Sequence, residues 1–135
     1  MRRIVLGWAM IKNEEKIFHW SLTAIREEIL KIGQGRNEST DSLIATLSTL
    51  HDIAIDSGLH LPQPLVGYDP DVGVELEWFY KRRSLTFGHP SDEKALWMHW
   101  QNGNDGYDET APNKARIANA LKWVSGVVPT LEPQV

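Results

Sequence analysis

Two glutamates separated by one residue form the pattern in this sequence that comes nearest to an active site. Glu75 and Glu77 stand in a run of alternating apolar and polar residues. On a strand their carboxylates project from one face, about 6–7 Å apart along the chain. Paired carboxylates of this kind perform acid–base chemistry or hold a divalent cation. With His99 from a later apolar run, they define an alternative function, a metal-dependent hydrolase or nuclease; the simpler interpretation is the solvent face of a strand.

A compact basic group, Lys81-Arg82-Arg83, follows the same run directly. Basic side chains next to aromatic residues supply the phosphate contacts and the stacking of single-strand nucleic-acid binding. The acidic pair beside this group and the formal net charge of −4 argue against a general nucleic-acid binder. Nucleic-acid binding through Lys81-Arg82-Arg83 is therefore a second alternative, and we do not expect nucleic acid to be the partner.

Other catalytic and metal-binding patterns are absent from the sequence. There is no cysteine, and no two of the five histidines have the spacing of four that places two zinc ligands on one helix face. The polar run 101–109 fails as a calcium loop, because Pro112 stands where the EF-hand needs its last glutamate. Phosphate loops, dinucleotide fingerprints and nucleophile elbows do not occur. We expect no catalytic residues, no metal and no cofactor.

Length and composition are those of one globular domain. The chain has 135 residues, 41% hydrophobic and 24% charged, which predicts a single domain over residues 1–135. The apolar run 4–11 is too short to span a bilayer and has no small-residue cleavage site after it. We expect it to be a strand or a lead-in to the first helix, and we expect no membrane partner. The absence of cysteine fits a reducing compartment, so we expect a cytoplasmic protein.

Periodic apolar residues predict two helices in the first half of the chain. The first begins after Asn13 and ends at Gly33, with an apolar stripe of Phe18, Leu22, Ile25, Ile29 and Ile32. The second is capped by Ser39 or Thr40 and ends at Gly58, with an inner face of Leu43, Leu47, Leu50 and Ala54. The short linker between them is typical of an antiparallel helix hairpin.

Three short apolar runs between polar turns predict an antiparallel sheet. Alternate prolines make residues 61–65 an extended connector, and residues 67–71 turn the chain into the first strand, 72–80. The return strand carries Leu85 and Phe87 on its inner side.

The later elements complete an α+β domain. They are a third strand over residues 95–100, a loop over 101–109 marked by the turn dipeptide Asn102-Gly103, a helix that starts at Thr110 or Ala111 and ends at Gly126, and a tail over 127–135. The predicted fold is an N-terminal helix hairpin, a three-stranded antiparallel meander and a C-terminal helix packed on the sheet.

The aromatic residues of this sheet cannot all face its core. Trp97 and Trp100 have opposite parity on one strand, so one of them lies on the outer face, unless the last helix or residues 1–11 cover that face as well. Exposed aromatics and arginines dominate protein interfaces. We therefore expect a small cytosolic accessory protein that binds another protein, or a second copy of itself, through this face and its turns. The predicted partner-binding residues are Trp78, Phe79, Arg82, Arg83, Trp97 and His99.

Part of the sequence, about residues 47–100, resembles a pattern of small uncharacterised bacterial proteins. The residues that carry the resemblance are the connector Leu61-Pro62-Gln63-Pro64, the run Gly73-Val74-Glu75-Leu76-Glu77-Trp78 and the charged hairpin that ends in Arg82-Arg83-Ser84-Leu85-Thr86-Phe87. These motifs are structural and imply no active site. The resemblance implies an accessory or partner-binding protein of antitoxin, immunity or inhibitor type, from a mobile element or a toxin–antitoxin system.

Overall fold

A computed structural model of the chain describes residues 20–90 and 95–134, which form a two-layer α+β fold of three helices and a five-stranded antiparallel sheet. The helices are α1 (Leu22–Ile32), α2 (Glu38–Asp56) and α3 (Lys114–Val124). The strands are β1 (Leu65–Asp69), β2 (Gly73–Tyr80), β3 (Arg83–Gly88), β4 (Trp97–Asn102) and β5 (Asp105–Thr110).

The strands pair in the order in which they occur in the chain, so the sheet is a meander. The register aligns one row of apolar residues, in which Leu76 of β2 lies between Val66 and Phe87, and Phe87 lies next to Met98. The three strands predicted from the sequence are confirmed as β2, β3 and β4.

The prediction of three strands is wrong in number, because two edge strands were missed. β1 lies in the segment predicted as a connector and a turn, and β5 lies in the predicted loop. Gly67 in β1, and Gly106 and Asp108 in β5, are residue types that strands disfavour. Pairing with the neighbouring strands β2 and β4 overrides these local preferences.

The first helix begins later than predicted. Trp20 and Ser21 are not helical, and the Ser21 hydroxyl caps α1 by accepting a hydrogen bond from the Ala24 N–H at 3.3 Å. A single helix that runs from Asn13 is therefore wrong at these two positions, and residues 13–19 lie outside the described residues. The buried face of α1, with Ile25 and Ile29, is as predicted.

α1 ends at Gly33 as predicted, but close packing explains why this residue is glycine, and a left-handed backbone does not. Its φ is −81°, so it does not adopt the left-handed backbone that a C-terminal glycine commonly supplies. A Cβ at Gly33 would lie 3.0 Å from the Ile29 carbonyl oxygen and 3.1 Å from Val74 Cγ2, and it would collide with the Thr40 methyl group. Glycine is required because α1, α2 and β2 meet at this point.

The second and third helices have asparagine caps that the sequence analysis did not assign. The Asn37 side chain accepts a hydrogen bond from the Thr40 N–H, and the Thr40 hydroxyl accepts one from the Asn37 N–H, both at 2.9 Å. In α3, Asn113 accepts from the Arg116 N–H at 2.9 Å. This cap delays the start of α3 to Lys114.

The helices pack on one face of the sheet and enclose the core. The buried strand residues are Val74, Leu76, Trp78, Leu85, Phe87, Met98 and Trp100. The buried helix residues include the predicted Leu43, Leu47, Leu50, Ala54, Ile117, Leu121 and Val124. Burying one large apolar side chain is worth about 1.5–3 kcal/mol, so this face holds most of the stabilising contacts.

Two carbonyl groups of the proline-containing connector accept hydrogen bonds from the indole N–H groups of two buried tryptophans. The Trp20 indole N–H donates to the Leu61 carbonyl at 2.9 Å, and the Trp78 indole N–H donates to the Pro62 carbonyl at 2.7 Å. A connector outside the sheet ladder has such carbonyls available, and a buried indole needs an acceptor.

Of the two predicted terminal segments, the described structure includes only the C-terminal one. Residues 1–11, predicted as a strand or a lead-in, lie outside the described residues. Residues 127–134 contain no helix or strand, as expected of a tail, although Val128 and Leu131 pack against the core. Among the described helices, none combines the length and the apolar composition needed to cross a bilayer.

Candidate protein-interaction face

The side of the sheet opposite the helices, which we call the outer sheet face, is built from alternate residues of the five strands. Its side chains belong to Leu65, Asp69, Glu75, Glu77, Phe79, Ser84, Thr86, Trp97, His99, Gln101, Asp108 and Thr110, and its glycines are Gly67, Gly73, Gly88 and Gly106. Four of these side chains are carboxylates, and the strands place no lysine or arginine among them. The face is therefore acidic.

A polar row crosses this face at one level of the register. It consists of Glu77, Thr86, His99 and Asp108. The Thr86 hydroxyl donates to Glu77 Oε2 at 3.3 Å, and His99 Nδ1 lies 2.8 Å from Asp108 Oδ1. Adjacent strands lie about 4.8 Å apart. The sheet therefore places these four side chains next to one another, although each comes from a different strand and they are distant in the sequence.

Two side chains of this row lie flat over neighbouring glycines. A Cβ at Gly67 would be 3.2 Å from Glu77 Oε1, and a Cβ at Gly106 would be 3.2 Å from His99 Cε1. The His99 ring is also stacked on Trp97, with ring centroids 5.8 Å apart and planes 16° from parallel. Glycines on the edge strands thus leave room for the acidic and aromatic groups to spread across the face.

Glu75 is the most enclosed charged group of the outer sheet face. It is only 9% exposed, and its neighbours in the register are two glycines, Gly67 and Gly88. Burial raises the pKa of Glu75 to about 7, and the negative charges of Glu77 and Asp69 add to the rise, while His99 opposes it. Within the described part of the chain, no hydrogen bond or ion pair partner is found for this carboxyl group.

Large apolar side chains stand exposed beside the carboxylates. Phe79 and Leu65 are each 60% exposed on this face. Phe79 lies two residues from Glu77 on β2, and Leu65 pairs directly with Glu77. Exposed aromatic groups next to charge are typical of protein interfaces.

The structure places the six predicted partner-binding residues in four different settings. Phe79, Trp97 and His99 lie on the outer sheet face, where Trp97 and His99 of β4 are stacked on each other and Phe79 lies two strands away on β2. Trp78 does not lie there, because it is 2% exposed in the core and packs edge-on against Phe87. Alternation along β2 puts Trp78 and Phe79 on opposite faces.

Arg83 is held by the protein itself. Its Nη1 donates to the Trp123 and Val128 carbonyls at 2.6 and 3.2 Å, and its Nη2 donates to the Pro129 carbonyl at 3.1 Å. The guanidinium also lies over the Tyr80 ring. These contacts fix the end of α3 and the start of the tail, so they account for Arg83 without a partner.

The basic turn Lys81-Arg82-Arg83 therefore has fewer cationic groups available to bind a ligand than its sequence suggests. Lys81 Nζ lies 5.3 Å from the Tyr80 ring centroid, and Arg83 faces the helix side. Arg82 is the exposed arginine at the tip of the β2–β3 hairpin. A nucleic-acid site built on all three residues would need all three charges available to phosphates, and the guanidinium of Arg83 already donates to three main-chain carbonyls.

The sheet does place Glu75, Glu77 and His99 on one face, as the hydrolase alternative requires. Glu75 and Glu77 are on β2 and His99 is on β4, with Thr86 of β3 between Glu77 and His99. Among residues 20–90 and 95–134, no group of three histidine or carboxylate side chains is arranged to hold a metal ion.

Sequence reasoning missed Leu65, Asp69 and Asp108 as members of this face, because they belong to the two missed strands. One signal could have found β5. Asn102 pairs with Asp105 across a two-residue turn in which Gly103 has a φ of 63°. A turn dipeptide such as Asn102-Gly103 is a hairpin signal, and a hairpin requires a second strand after it.

Comparison with known proteins adds no identification: no protein-family model, no curated protein and no solved structure matches this chain.

Proposed function

We propose that this protein binds a positively charged protein partner through the outer sheet face, as an accessory protein of antitoxin, immunity or inhibitor type in the cytoplasm. The observation that carries the proposal is the combination of exposed Phe79 and Leu65 with four carboxylates on one sheet face that the described helices do not cover. Aromatic anchors supply binding energy at such interfaces, and complementary charge steers the partner and selects it.

The sign of the charge defines the partner. The strands of this face carry Asp69, Glu75, Glu77 and Asp108, with His99 as the basic side chain among them. The formal net charge of the whole chain is −4. A basic protein, such as an enzyme that acts on nucleic acids, offers the complementary surface, and its inhibitor would mimic the negative charge of its substrate.

A second copy of this chain fits the face less well. A two-fold interface would place the same patch on both subunits. The carboxylates of one copy would then face those of the other, and like charges at an interface oppose association. We therefore propose a different, basic protein.

The test is affinity capture from the native host at low and high salt, followed by identification of the captured protein. We expect a basic protein whose capture weakens with salt and is lost with Phe79→Ser or Glu77→Lys. The matched controls are Ile55→Ser and Glu27→Lys, which change exposed residues on the helix side and should leave capture unchanged. Capture that survives both outer-face variants, or an acidic captured protein, would overturn the proposal.

A second candidate function is hydrolysis by acid–base chemistry without a metal. Glu75, with its pKa raised to about 7, could exchange protons near neutral pH, and Asp108 holds His99 in a fixed orientation. An activity panel of phosphodiester, ester and glycoside substrates tests this. Activity lost in both Glu75→Gln and His99→Gln would support it, and activity that persists in either variant, or none in the wild-type protein, would overturn it.

A further inference from the structure

We propose that Glu75 and Glu77 form a receptor for an arginine side chain, and that the protein partner binds by inserting its guanidinium group between these carboxylates. This inference rests on the proposed function and names the group that the outer sheet face recognises. It follows from three properties of the site: an unpartnered carboxyl group on a buried side chain, a second carboxylate on the same face, and a tryptophan in the same row of the sheet.

The unpartnered group is Glu75. More than nine-tenths of its surface is buried, yet among the described residues its carboxyl group has neither a hydrogen bond nor an ion-pair partner. A carboxyl group on so enclosed a side chain loses much of its hydration, and this loss is costly when no hydrogen-bond donor or counter-charge compensates for it. A ligand that donates hydrogen bonds and carries positive charge would remove this cost.

Glu77 supplies the second carboxylate. It lies two residues along β2 on the same face, and its Oε2 already accepts a hydrogen bond from Thr86 at 3.3 Å. A guanidinium group can bridge two carboxylates that lie about 6–7 Å apart along one strand, because it is planar and its five N–H donors point in several directions. The lysine ammonium is a compact point charge and bridges them less well.

The tryptophan of the site is Trp97. It occupies the same row as Glu75, with only Gly88 between them in the register. A Cβ at Gly88 would be 3.6 Å from Trp97 Cε3 and would collide with Val72, at 2.7 Å from its Cγ1. Trp97 and Val72 thus flank Gly88, the residue of β3 that pairs with Glu75, and a guanidinium stacks on an indole ring more readily than an ammonium does.

The charges around Glu75 predict a dependence on pH. Glu77 on the same strand and Asp69 on β1 raise its pKa, His99 on β4 lowers it, and β3 contributes only the uncharged Gly88 and Thr86 at this level. A bound cation stabilises the ionised form. Binding of a guanidinium should therefore strengthen as the pH rises through about 7, and it should displace a proton from Glu75 below that pH.

The experiment is a titration of the full chain, followed by nuclear magnetic resonance, with three small probes. The probes are N-acetylarginine amide, its neutral isostere N-acetylcitrulline amide and N-acetyllysine amide. At pH 8 we expect saturable shifts of the Glu75 and Glu77 amides and the Trp97 indole with the arginine probe, weaker binding of the lysine probe and none of the citrulline probe. Glu75→Gln should weaken arginine binding about tenfold, the value of one charge-assisted hydrogen bond, and Glu27→Gln should not.

The outcomes separate this inference from the proposed function. Equal shifts with the arginine and citrulline probes, or unchanged arginine binding in Glu75→Gln, would overturn the receptor while leaving capture of a basic protein through Phe79 intact. Arginine binding that depends on Glu75, without any basic protein captured through this face, would instead support the receptor chemistry and overturn the proposed function.

Discussion

Arg116 of α3 and Glu109 of β5 form a two-pronged ion pair, in which Arg116 Nη2 and Nε lie 2.8 and 3.1 Å from Glu109 Oε1. Both side chains are 12% exposed, and the guanidinium lies over the Trp100 ring at 5.5 Å from its centroid. The pair fastens the edge strand β5 to the helix layer. It therefore supports the strand that contributes Asp108 to the outer sheet face.

Removing one partner of this pair should destabilise the protein. We expect Glu109→Gln to lower the free energy of unfolding by about 2–3 kcal/mol, because it leaves the Arg116 guanidinium enclosed without its counter-charge. The double variant Glu109→Met/Arg116→Met should lose less stability than the sum of the losses in Glu109→Met and Arg116→Met, which with the wild-type protein complete a double-mutant cycle. Urea denaturation of the four proteins measures this coupling, and strict additivity would show that the two side chains do not support each other.

Arg83 should matter for stability, whereas its neighbour should not. We expect Arg83→Met to cost about 1–3 kcal/mol, because three main-chain carbonyls at the end of α3 and in the tail lose their donor. Arg82→Met changes an exposed residue at the hairpin tip and should stay within about 0.5 kcal/mol of the wild-type protein. Thermal and urea denaturation compare the two, and equal stabilities would contradict the assigned contacts.

Substituting Trp78 should lower the stability of the protein, whereas substituting Phe79 should weaken partner binding and leave the stability nearly unchanged. Trp78→Phe removes the donor to the Pro62 carbonyl and should cost about 1–3 kcal/mol. Phe79→Ser should change the free energy of unfolding by less than about 0.5 kcal/mol, since its ring is exposed. A destabilised Phe79→Ser together with an unaffected Trp78→Phe would mean that the two faces of β2 have been assigned the wrong way round.

Glu75 should make the protein less stable as the pH rises. The pKa of Glu75 is raised in the folded protein to about 7 from its ordinary value of 4.5, so the folded state binds the proton more tightly than the unfolded state does. The stability gained from this tighter proton binding is complete below pH 4.5 and is lost as the pH rises to about 7, by about 1–2 kcal/mol once screening by solvent is included.

Glu75→Gln should abolish this dependence. At pH 8 the variant should be more stable than the wild-type protein, and the difference should shrink towards pH 5. Urea midpoints across this range measure the effect, with Glu27→Gln on the exposed side of α1 as the control. A constant difference between pH 5 and pH 8 would show that Glu75 titrates normally.

The sequence was sufficient for features that depend on local periodicity. The inner faces of α2 and α3 and the alternation along β2 follow from side-chain repeats of 3.6 and 2, which the chain carries whatever else it packs against. The opposite orientations of Trp97 and Trp100 follow from the same rule, and the structure confirms them: Trp100 is buried and Trp97 faces outward.

The sequence was insufficient where the deciding contact is distant along the chain. β5 gains its conformation from pairing with β4, and the hydrogen bonds of Arg83 reach residues 40 and more positions away. Assigning Trp78 to the partner-binding residues conflicted with the alternation of the strand, because Trp78 has the parity opposite to Glu75 and Glu77, which were predicted to share the outer face. Nearness to the basic turn in the sequence does not determine which face of the sheet a side chain occupies.

The meander order of the strands has a consequence for how the chain folds. Each strand pairs only with its neighbour in sequence, so the sheet can grow hairpin by hairpin, and each step closes a short loop at small entropic cost. Folds with such local contacts reach the native state faster than sandwiches and barrels of similar size, whose pairings join distant segments.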